Sequence, residues 1–255
     1  MNQTVKKPRQ PRIKKIVALP STISRDVSTM PVLTPLTYRG GQLLTQVEMF
    51  TIFWGKDWTT PVKAAMIAPF NKFFKDIVDS TLIDQLAEYN VPNQKIGHGS
   101  FIGSVTTNSP SLAKTVSDTT IKKNLNKWIA AGIIPPITAN RLYFVFTQQG
   151  TVVKLGRDAS CQVFCGYHDH VNKALFYAVI TYADCSSGLD GLSAFDSMTV
   201  TASHELCEAM TDPVPGEGWY NDTFGEIGDY PSRHAKTVLT YKVQTEFSNK
   251  AKTCV

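Results

Sequence analysis

The chain has 255 residues, and its 42% hydrophobic and 18% charged content is that of a globular protein with a sizeable core. No window approaches the roughly 18 apolar residues that a membrane-spanning helix needs, so we expect no membrane span. The formal net charge is +5, but seven of the 26 basic residues precede the first acid, Asp26, which leaves 19 basic against 21 acidic residues. Because a nucleic-acid-binding domain should carry its basic excess on the folded body, we expect no specific nucleic-acid partner.

The first 35 residues predict a basic, disordered tail or linker, and residues 36–255 predict a single domain. The tail is rich in proline, Ser and Thr and shows little hydrophobic periodicity. Its apolar stretch from Ile16 to Leu19 stops at Pro20, which is too short for a secretory signal peptide. The alternatives are a cytoplasmic protein, export by another route, or a leader that has been removed.

Strand and helix signals alternate along the rest of the chain. In chain order they predict a turn at 38–41, a strand at 44–54, helices at 61–77 and 80–89, a strand at 101–105, a helix at 117–131, strands at 141–147 and 176–182, a helix at 196–211, and a late strand near 238–243. This order predicts one α/β or α+β domain with helices packed on a mixed sheet. His168 and His170, between two of the strands, are more typical of a hydrogen-bonded loop pair than of metal ligands.

The helix at 196–211 carries the most informative motif, His204-Glu205-Leu206-Cys207-Glu208. His204 and Glu208 are four residues apart and share one helix face, and the apolar residues around Leu206 lie on the opposite face. We therefore expect the apolar face to pack on the core and the polar face to line a cleft. Glu205 occupies the position of the general base in the HExxH motif of zinc peptidases, whose second histidine is here Glu208.

The motif predicts a metal site with a carboxylate in place of one histidine. Carboxylate oxygen is an acceptable zinc ligand, although it lowers the Lewis acidity of the ion and admits Mn²⁺ or Ca²⁺ more readily. A further ligand must come from elsewhere in the chain. The candidates are Glu226 and Asp229, in the segment Gly-Glu-Ile-Gly-Asp, and the two histidines His168 and His170.

These residues predict a zincin-like hydrolase that acts on a protein or peptide substrate. Glu205 would take a proton from water and pass it to the leaving amine, and His168 or Tyr220 would donate a hydrogen bond to the developing oxyanion. Asp212 lies two helical turns beyond His204, which suits a place behind the ligands or a helix-ending role before proline. The alternative is a binding protein with a structural metal, or none, on the same scaffold.

Several short motifs occur in an order that resembles the exordium-like, phosphate-induced proteins of plants and their bacterial relatives. They are Tyr38-Arg39-Gly40-Gly41, Ile52-Phe53-Trp54-Gly55, Cys161-Gln162-Val163-Phe164-Cys165-Gly166-Tyr167-His168, Tyr177-Ala178-Val179, Ser203-His204-Glu205-Leu206-Cys207-Glu208-Ala209, Thr211-Asp212-Pro213, Gly218-Trp219-Tyr220 and Gly225-Glu226-Ile227-Gly228-Asp229. The chain departs from the family in lacking an ordinary signal peptide and in having Tyr230-Pro231 where relatives often have Leu-Cys.

The resemblance implies a mostly extracellular protein with a candidate HExxE metallopeptidase site, associated in plants with growth and cell walls. It also favours a disulfide between Cys161 and Cys165, whose spacing would permit one. Combined with the missing signal peptide, the resemblance is compatible with a secreted effector or toxin whose basic N-terminal tail serves export.

Overall fold

A computed structural model describes residues 32–183, 191–231 and 234–255. Residues 1–31, which make up most of the predicted tail, lie outside this part of the chain. The chain is already held at its first described residues: Thr34 accepts a hydrogen bond from the hydroxyl of Tyr230 at 2.6 Å. Leu36 exchanges two backbone hydrogen bonds with the side-chain amide of Asn249, at 2.7 and 2.9 Å.

A five-stranded mixed sheet forms the centre of the fold, in the order β3-β2-β5-β9-β8. Its strands are β2 (Glu48–Trp54), β3 (Ser100–Thr107), β5 (Arg141–Thr147), β8 (Gly166–Val171) and β9 (Leu175–Ile180). Neighbouring strands are parallel except β8, which pairs antiparallel with β9 at one edge. The inner strands β5 and β9 are buried along their whole length, as expected of parallel strands covered on both faces.

Four α-helices accompany the described strands. They are α1 (Pro61–Ile77), α2 (Thr81–Gln85), α3 (Asp118–Ala130) and α4 (Ala194–Thr211), with short 3₁₀ turns at Lys56–Thr59 and Leu86–Tyr89. Small strands complete the fold: β1 (Thr37–Tyr38) with β10 (Trp219–Tyr220), β4 (Thr115–Ser117) with β6 (Val152–Leu155) and β7 (Asp158–Ala159), β11 (Ala235–Val238) with β12 (Tyr241–Gln244), and β13 (Phe247–Ser248) with β14 (Thr253–Cys254).

The central sheet separates two hydrophobic cores because alternate residues of each strand point to opposite faces. On one face Phe144 and Ile180 pack with Phe74 of α1 and Leu206 of α4. On the other face the neighbouring strand residues pack against α3, around Trp128. The helix α4, which carries the predicted motif, therefore lies directly on the sheet.

The structure confirms a mixed α/β domain with packed helices, and the predicted helices and most strands match its elements within a few residues. Two predictions were wrong. The late strand near 238–243 is a hairpin, because Leu239 has a φ of 56° and the chain turns there between β11 and β12. The loop predicted around His168 and His170 is the strand β8. Among the described helices, none combines the length and apolar character needed to cross a membrane.

Candidate metal centre

The helix α4 is buried on all sides, not only on its apolar face. The hydroxyl of Ser193 caps its first turn by accepting from the backbone N–H of Asp196 at 3.0 Å. Every residue from 197 to 211 is buried. The predicted packing of Leu206 in the core is correct, but the predicted open cleft is wrong, because β8, β12 and the segment 225–229 cover the polar face.

The predicted ligand side chains converge beneath this cover. His204 Nε2 lies 3.0 Å from Glu208 Oε1. His168 reaches the same carboxylate from β8, with Nδ1 at 3.4 Å from Glu208 Oε2 and also from Glu205 Oε2. Its other ring nitrogen, Nε2, lies 3.3 Å from Glu226 Oε1. Each of these five side chains is at most 1% exposed.

Two groups of three donors meet the distance requirement for holding a metal ion, and they share Glu208. One comprises His168, Glu208 and Glu226, and the other comprises His204, Glu208 and Asp229. Within each group the donor atoms lie within 4.8 Å of one another. Asp229 is half-buried, whereas the other four residues are buried. The structure thus brings together all the ligands that the sequence offered as alternatives except His170.

The hydrogen-bonding state of the donors fits a cation. Five buried atoms here make no hydrogen bond of acceptable geometry within the described chain, although three of them lie within ion-pair distance of a neighbour: His204 Nε2, Glu205 Oε1, Glu208 Oε1 and both carboxylate oxygens of Glu226. Leaving one buried polar atom without a partner costs about 1–3 kcal/mol, so a cluster of them could be stabilised by a bound cation. Donors about 2.0–2.2 Å from a tetrahedral ion lie about 3.3 Å apart, close to the separations observed here.

The pKa values of the donors reflect burial and mutual attraction. Burial alone would lower the pKa of His204, but the adjacent Glu208 carboxylate raises it to about 10. Burial would raise the pKa of Glu208, and His204 and His168 instead hold it at about 2. For Glu205 and Glu226 burial prevails and raises the pKa. Without an ion, protons must therefore neutralise part of this site, and binding of a cation would release them.

Gly166 and His168 lie on the face of strand β8 that points toward α4, and this orientation brings the His168 side chain into the centre. A Cβ atom added to Gly166 would lie 2.5 Å from Thr201 Cγ2 and 2.9 Å from Glu205 Oε1. Only glycine therefore permits this approach of the strand to the helix. His168 Nε2 also lies 3.1 Å from the carbonyl oxygen of Asp212, which fixes the plane of the ring.

The segment 225–229 presses on His204 from the opposite side. A Cβ atom at Gly228 would lie only 2.3 Å from His204 Nδ1. Gln244 of β12 completes the contact: its side-chain nitrogen lies 2.8 Å from His204 Nδ1 and donates to the Gly228 carbonyl at 2.7 Å. Sequence reasoning missed Gln244, because nothing in its local pattern distinguishes it from an ordinary strand residue.

Asp212 and Tyr220 surround the centre without entering either ligand group. The Asp212 carboxylate accepts hydrogen bonds from the backbone of Gly216 at 2.6 Å, Glu217 at 3.1 Å and Gly218 at 2.6 Å. Burial raises its pKa to about 6 despite these bonds. Tyr220 is buried on β10, and burial together with the neighbouring site carboxylates raises its pKa to about 12.

The predicted disulfide between Cys161 and Cys165 does not form. Cys161 is disulfide-bonded, but its partner is not Cys165. Cys161 has a φ of 66°, so a tight turn directs this part of the chain. The carbonyl of Cys165 instead accepts hydrogen bonds from the backbone and hydroxyl of Thr181, at 3.0 and 2.7 Å, where β8 begins.

A second polar cluster lies on the other face of β8, beneath α3. Asp118 Oδ1 accepts hydrogen bonds from the hydroxyls of Tyr167, at 2.9 Å, and Tyr177. Lys122 forms ion pairs with both Asp118 and Asp169. These partners satisfy one another, so this cluster links β8 and β9 to α3 and does not resemble a ligand site.

Comparison of the chain with protein-family models and with curated proteins finds no match. The assignment therefore rests on the fold and the site alone. Together they define an α+β protein with a buried cluster of histidine and carboxylate side chains that could hold a metal ion.

Proposed function

We propose that this protein is a metal-dependent hydrolase with a zincin-like domain and that its substrate is a protein or peptide. The observation that carries the proposal is the position of Glu205. Its Oε1 atom is buried without a hydrogen-bond partner in the described chain, and its Oε2 atom lies 3.4 Å from His168 Nδ1, which is equally far from Glu208 Oε2. A carboxylate so placed can accept a proton from a water molecule held in the same cluster.

His204, Glu208 and Asp229 would hold the catalytic ion, which we propose is Zn²⁺, with Mn²⁺ or Ca²⁺ admitted by the two carboxylates. Such an ion supplies a Lewis acid that polarises a carbonyl and acidifies water.

Glu205 would act as the general base and later as the general acid. Burial raises its pKa above the ordinary value of a glutamate, and a more basic carboxylate is a better proton acceptor. His168 lies 3.4 Å from Glu205 Oε2 and orients that carboxylate. His168 and Tyr220 are the hydrogen-bond donors we propose for the developing oxyanion.

The test is Glu205→Gln, which keeps the shape of the side chain and removes the base. We expect the variant to retain its ion and to lose hydrolysis of a peptide library by about 10²–10⁴-fold. The matched control is Glu217→Gln, since Glu217 pairs with Lys173 at the surface. Equal cleavage by wild type and Glu205→Gln would exclude the proposed base.

A second candidate function is favoured by the depth of the site. Structural metal sites are closed, whereas catalytic ones leave a coordination position for water. The residues His168, His204, Glu208 and Glu226 are each at most 1% exposed, which is typical of a closed site. In this alternative the ion stabilises a binding protein. Chelation would then lower the melting temperature by many degrees, and wild type would cleave no member of the library with metal bound.

Membership of the exordium-like family belongs to the same proposal and rests on the ordered motifs between residues 38 and 230. Secretion by a route without a classical signal peptide, cell-wall association and an effector role follow only from that membership. A cytoplasmic location is the alternative. Reporter fusion of residues 1–31, with secretion as the readout, would distinguish these locations.

A further inference from the structure

We propose that the centre binds two metal ions bridged by the Glu208 carboxylate. The inference rests on the proposed metal-dependent function and extends it, because that function needs only the ion on His204, Glu208 and Asp229. The second ion would lie with His168 and Glu226, the other group of donors that contains Glu208.

The two oxygens of Glu208 face different histidines. Oε1 lies 3.0 Å from His204 Nε2, and Oε2 lies 3.4 Å from His168 Nδ1. A carboxylate that offers one oxygen to each of two donor groups has the arrangement of a bridging ligand. Bridged ions in two-metal sites lie about 3.5–4 Å apart, a span that one carboxylate can cover.

His168 has the surroundings of a metal-binding histidine. Such a residue uses one ring nitrogen for the ion and donates the proton of the other to an oxygen atom. Nδ1 faces Glu205 and Glu208, each at 3.4 Å. Nε2 faces the Asp212 carbonyl at 3.1 Å and Glu226 at 3.3 Å. An ion on Nε2 would lie beside Glu226 and would leave the Nδ1–H to donate to Glu205 or Glu208.

The carboxylate of Glu226 provides the second, independent observation. The side chain is fully buried, and neither of its oxygens has a hydrogen-bond partner in the described residues. Its ion-pair partner there is His168. An isolated buried carboxylate is strongly unfavourable, so a cation in contact with both oxygens and with His168 would remove a large penalty.

The balance of buried charge also favours two ions. Glu205, Glu208 and Glu226 carry three potential negative charges, and within the described chain their ion-pair partners are the two histidines alone. One divalent ion neutralises two of these three charges, and a second ion is needed to neutralise the third.

The decisive measurement is the metal content of the wild-type protein. The full chain is loaded with Zn²⁺, desalted, and measured by elemental analysis; we expect two ions per chain. The same protein loaded with Mn²⁺ should give the electron paramagnetic resonance spectrum of an exchange-coupled pair, because the ions share a carboxylate. Neither readout depends on a substrate.

Variants place the second ion. We expect His168→Ala to bind one ion and to lose the exchange-coupled Mn²⁺ spectrum. The matched control is His98→Ala, because His98 lies outside the centre and pairs with Asp79 and Asp84 at the surface. The control should keep two ions, and its loss of one would place the second ion at that surface pair and overturn the proposal.

The outcomes separate this inference from the proposed function. One ion in wild type, lost in His204→Ala and kept in His168→Ala, would refute the second ion and leave the single-ion hydrolase intact. No ion in wild type would refute both. Two ions in wild type with two remaining in His168→Ala would refute the assigned position. If His168→Ala fails to fold, the wild-type stoichiometry and the Mn²⁺ spectrum decide alone.

Discussion

Replacing Gly228 with alanine should weaken metal binding without disturbing the backbone. Its φ lies outside the left-handed region, so alanine introduces no conformational strain there. The new Cβ would lie 2.3 Å from His204 Nδ1, 2.5 Å from Cε1 and 2.9 Å from Cγ. Since carbon atoms prefer to lie about 3.5–4.0 Å apart, the imidazole must move by about 1 Å.

A shift of that size has two measurable consequences. Overpacking of this kind typically costs about 1–3 kcal/mol of folding free energy, and a ligand held more than about 0.5 Å from its productive position binds poorly. We expect the affinity for Zn²⁺, measured by competition with a chromophoric chelator, to fall about 10–100-fold, as when a supporting residue of a metal ligand is removed.

The matched control is Gly97→Ala. Its φ also lies outside the left-handed region, and its Cβ would meet nothing closer than the Thr45 carbonyl at 4.0 Å. Both variants should fold, as judged by circular dichroism, and only Gly228→Ala should lose affinity. Zinc affinity of Gly228→Ala within about twofold of wild type, or about 0.4 kcal/mol, would show that His204 is not a ligand.

Three further predictions concern the surroundings of the centre. Gln244→Leu removes the side-chain amide that lies 2.8 Å from His204 Nδ1 and should weaken zinc binding about 10–100-fold by chelator competition; unchanged affinity would exclude a positioning role. Asp212→Asn leaves fewer acceptors for three backbone N–H groups and should cost about 1–3 kcal/mol, seen as a melting temperature lower by several degrees. Metal-free protein should be less stable at about pH 8 than at about pH 5.5. Burial raises the pKa of Glu205 and Glu226 in the folded state, so the folded protein holds these protons more tightly than the unfolded chain does. This contribution to the free energy of unfolding is lost as the pH rises through the folded-state pKa values. Calorimetry in chelator showing stability that rises over this interval would contradict the last of these.

Local signals were enough to predict the helices and the main strands. Pro61 at the first position of α1 and Ser117 before α3 are start signals whose effect depends on neighbouring residues only. The strand β5 was predicted with its observed bounds because its apolar run is continuous. For the same reason the i, i+4 relation of His204 and Glu208 could be predicted, since helix geometry alone determines it.

The parts that sequence reasoning missed depend on contacts between distant segments. His168 lies in a strand whose sequence, Gly-Tyr-His-Asp-His-Val, has three consecutive polar residues because both of its faces contact buried polar clusters. An apolar strand pattern was therefore absent. The burial of His204 depends on Gln244, which is 40 residues away in the sequence. The periodicity of apolar residues along a helix cannot predict a contact between such distant segments. Pairing of Cys161 is likewise a matter of tertiary geometry.

The antiparallel edge strand β8 has an uncommon constraint on its register. Successive side chains serve different clusters: Tyr167 hydrogen-bonds to Asp118 on one face, and His168 meets Glu208 on the other. A slip of one residue would turn each side chain to the wrong face and empty both clusters together. Edge strands commonly tolerate bulges and small insertions, but here a single residue inserted within β8 would abolish two sets of interactions at once. Insertion scanning along this edge should therefore find β8 as intolerant as a central strand.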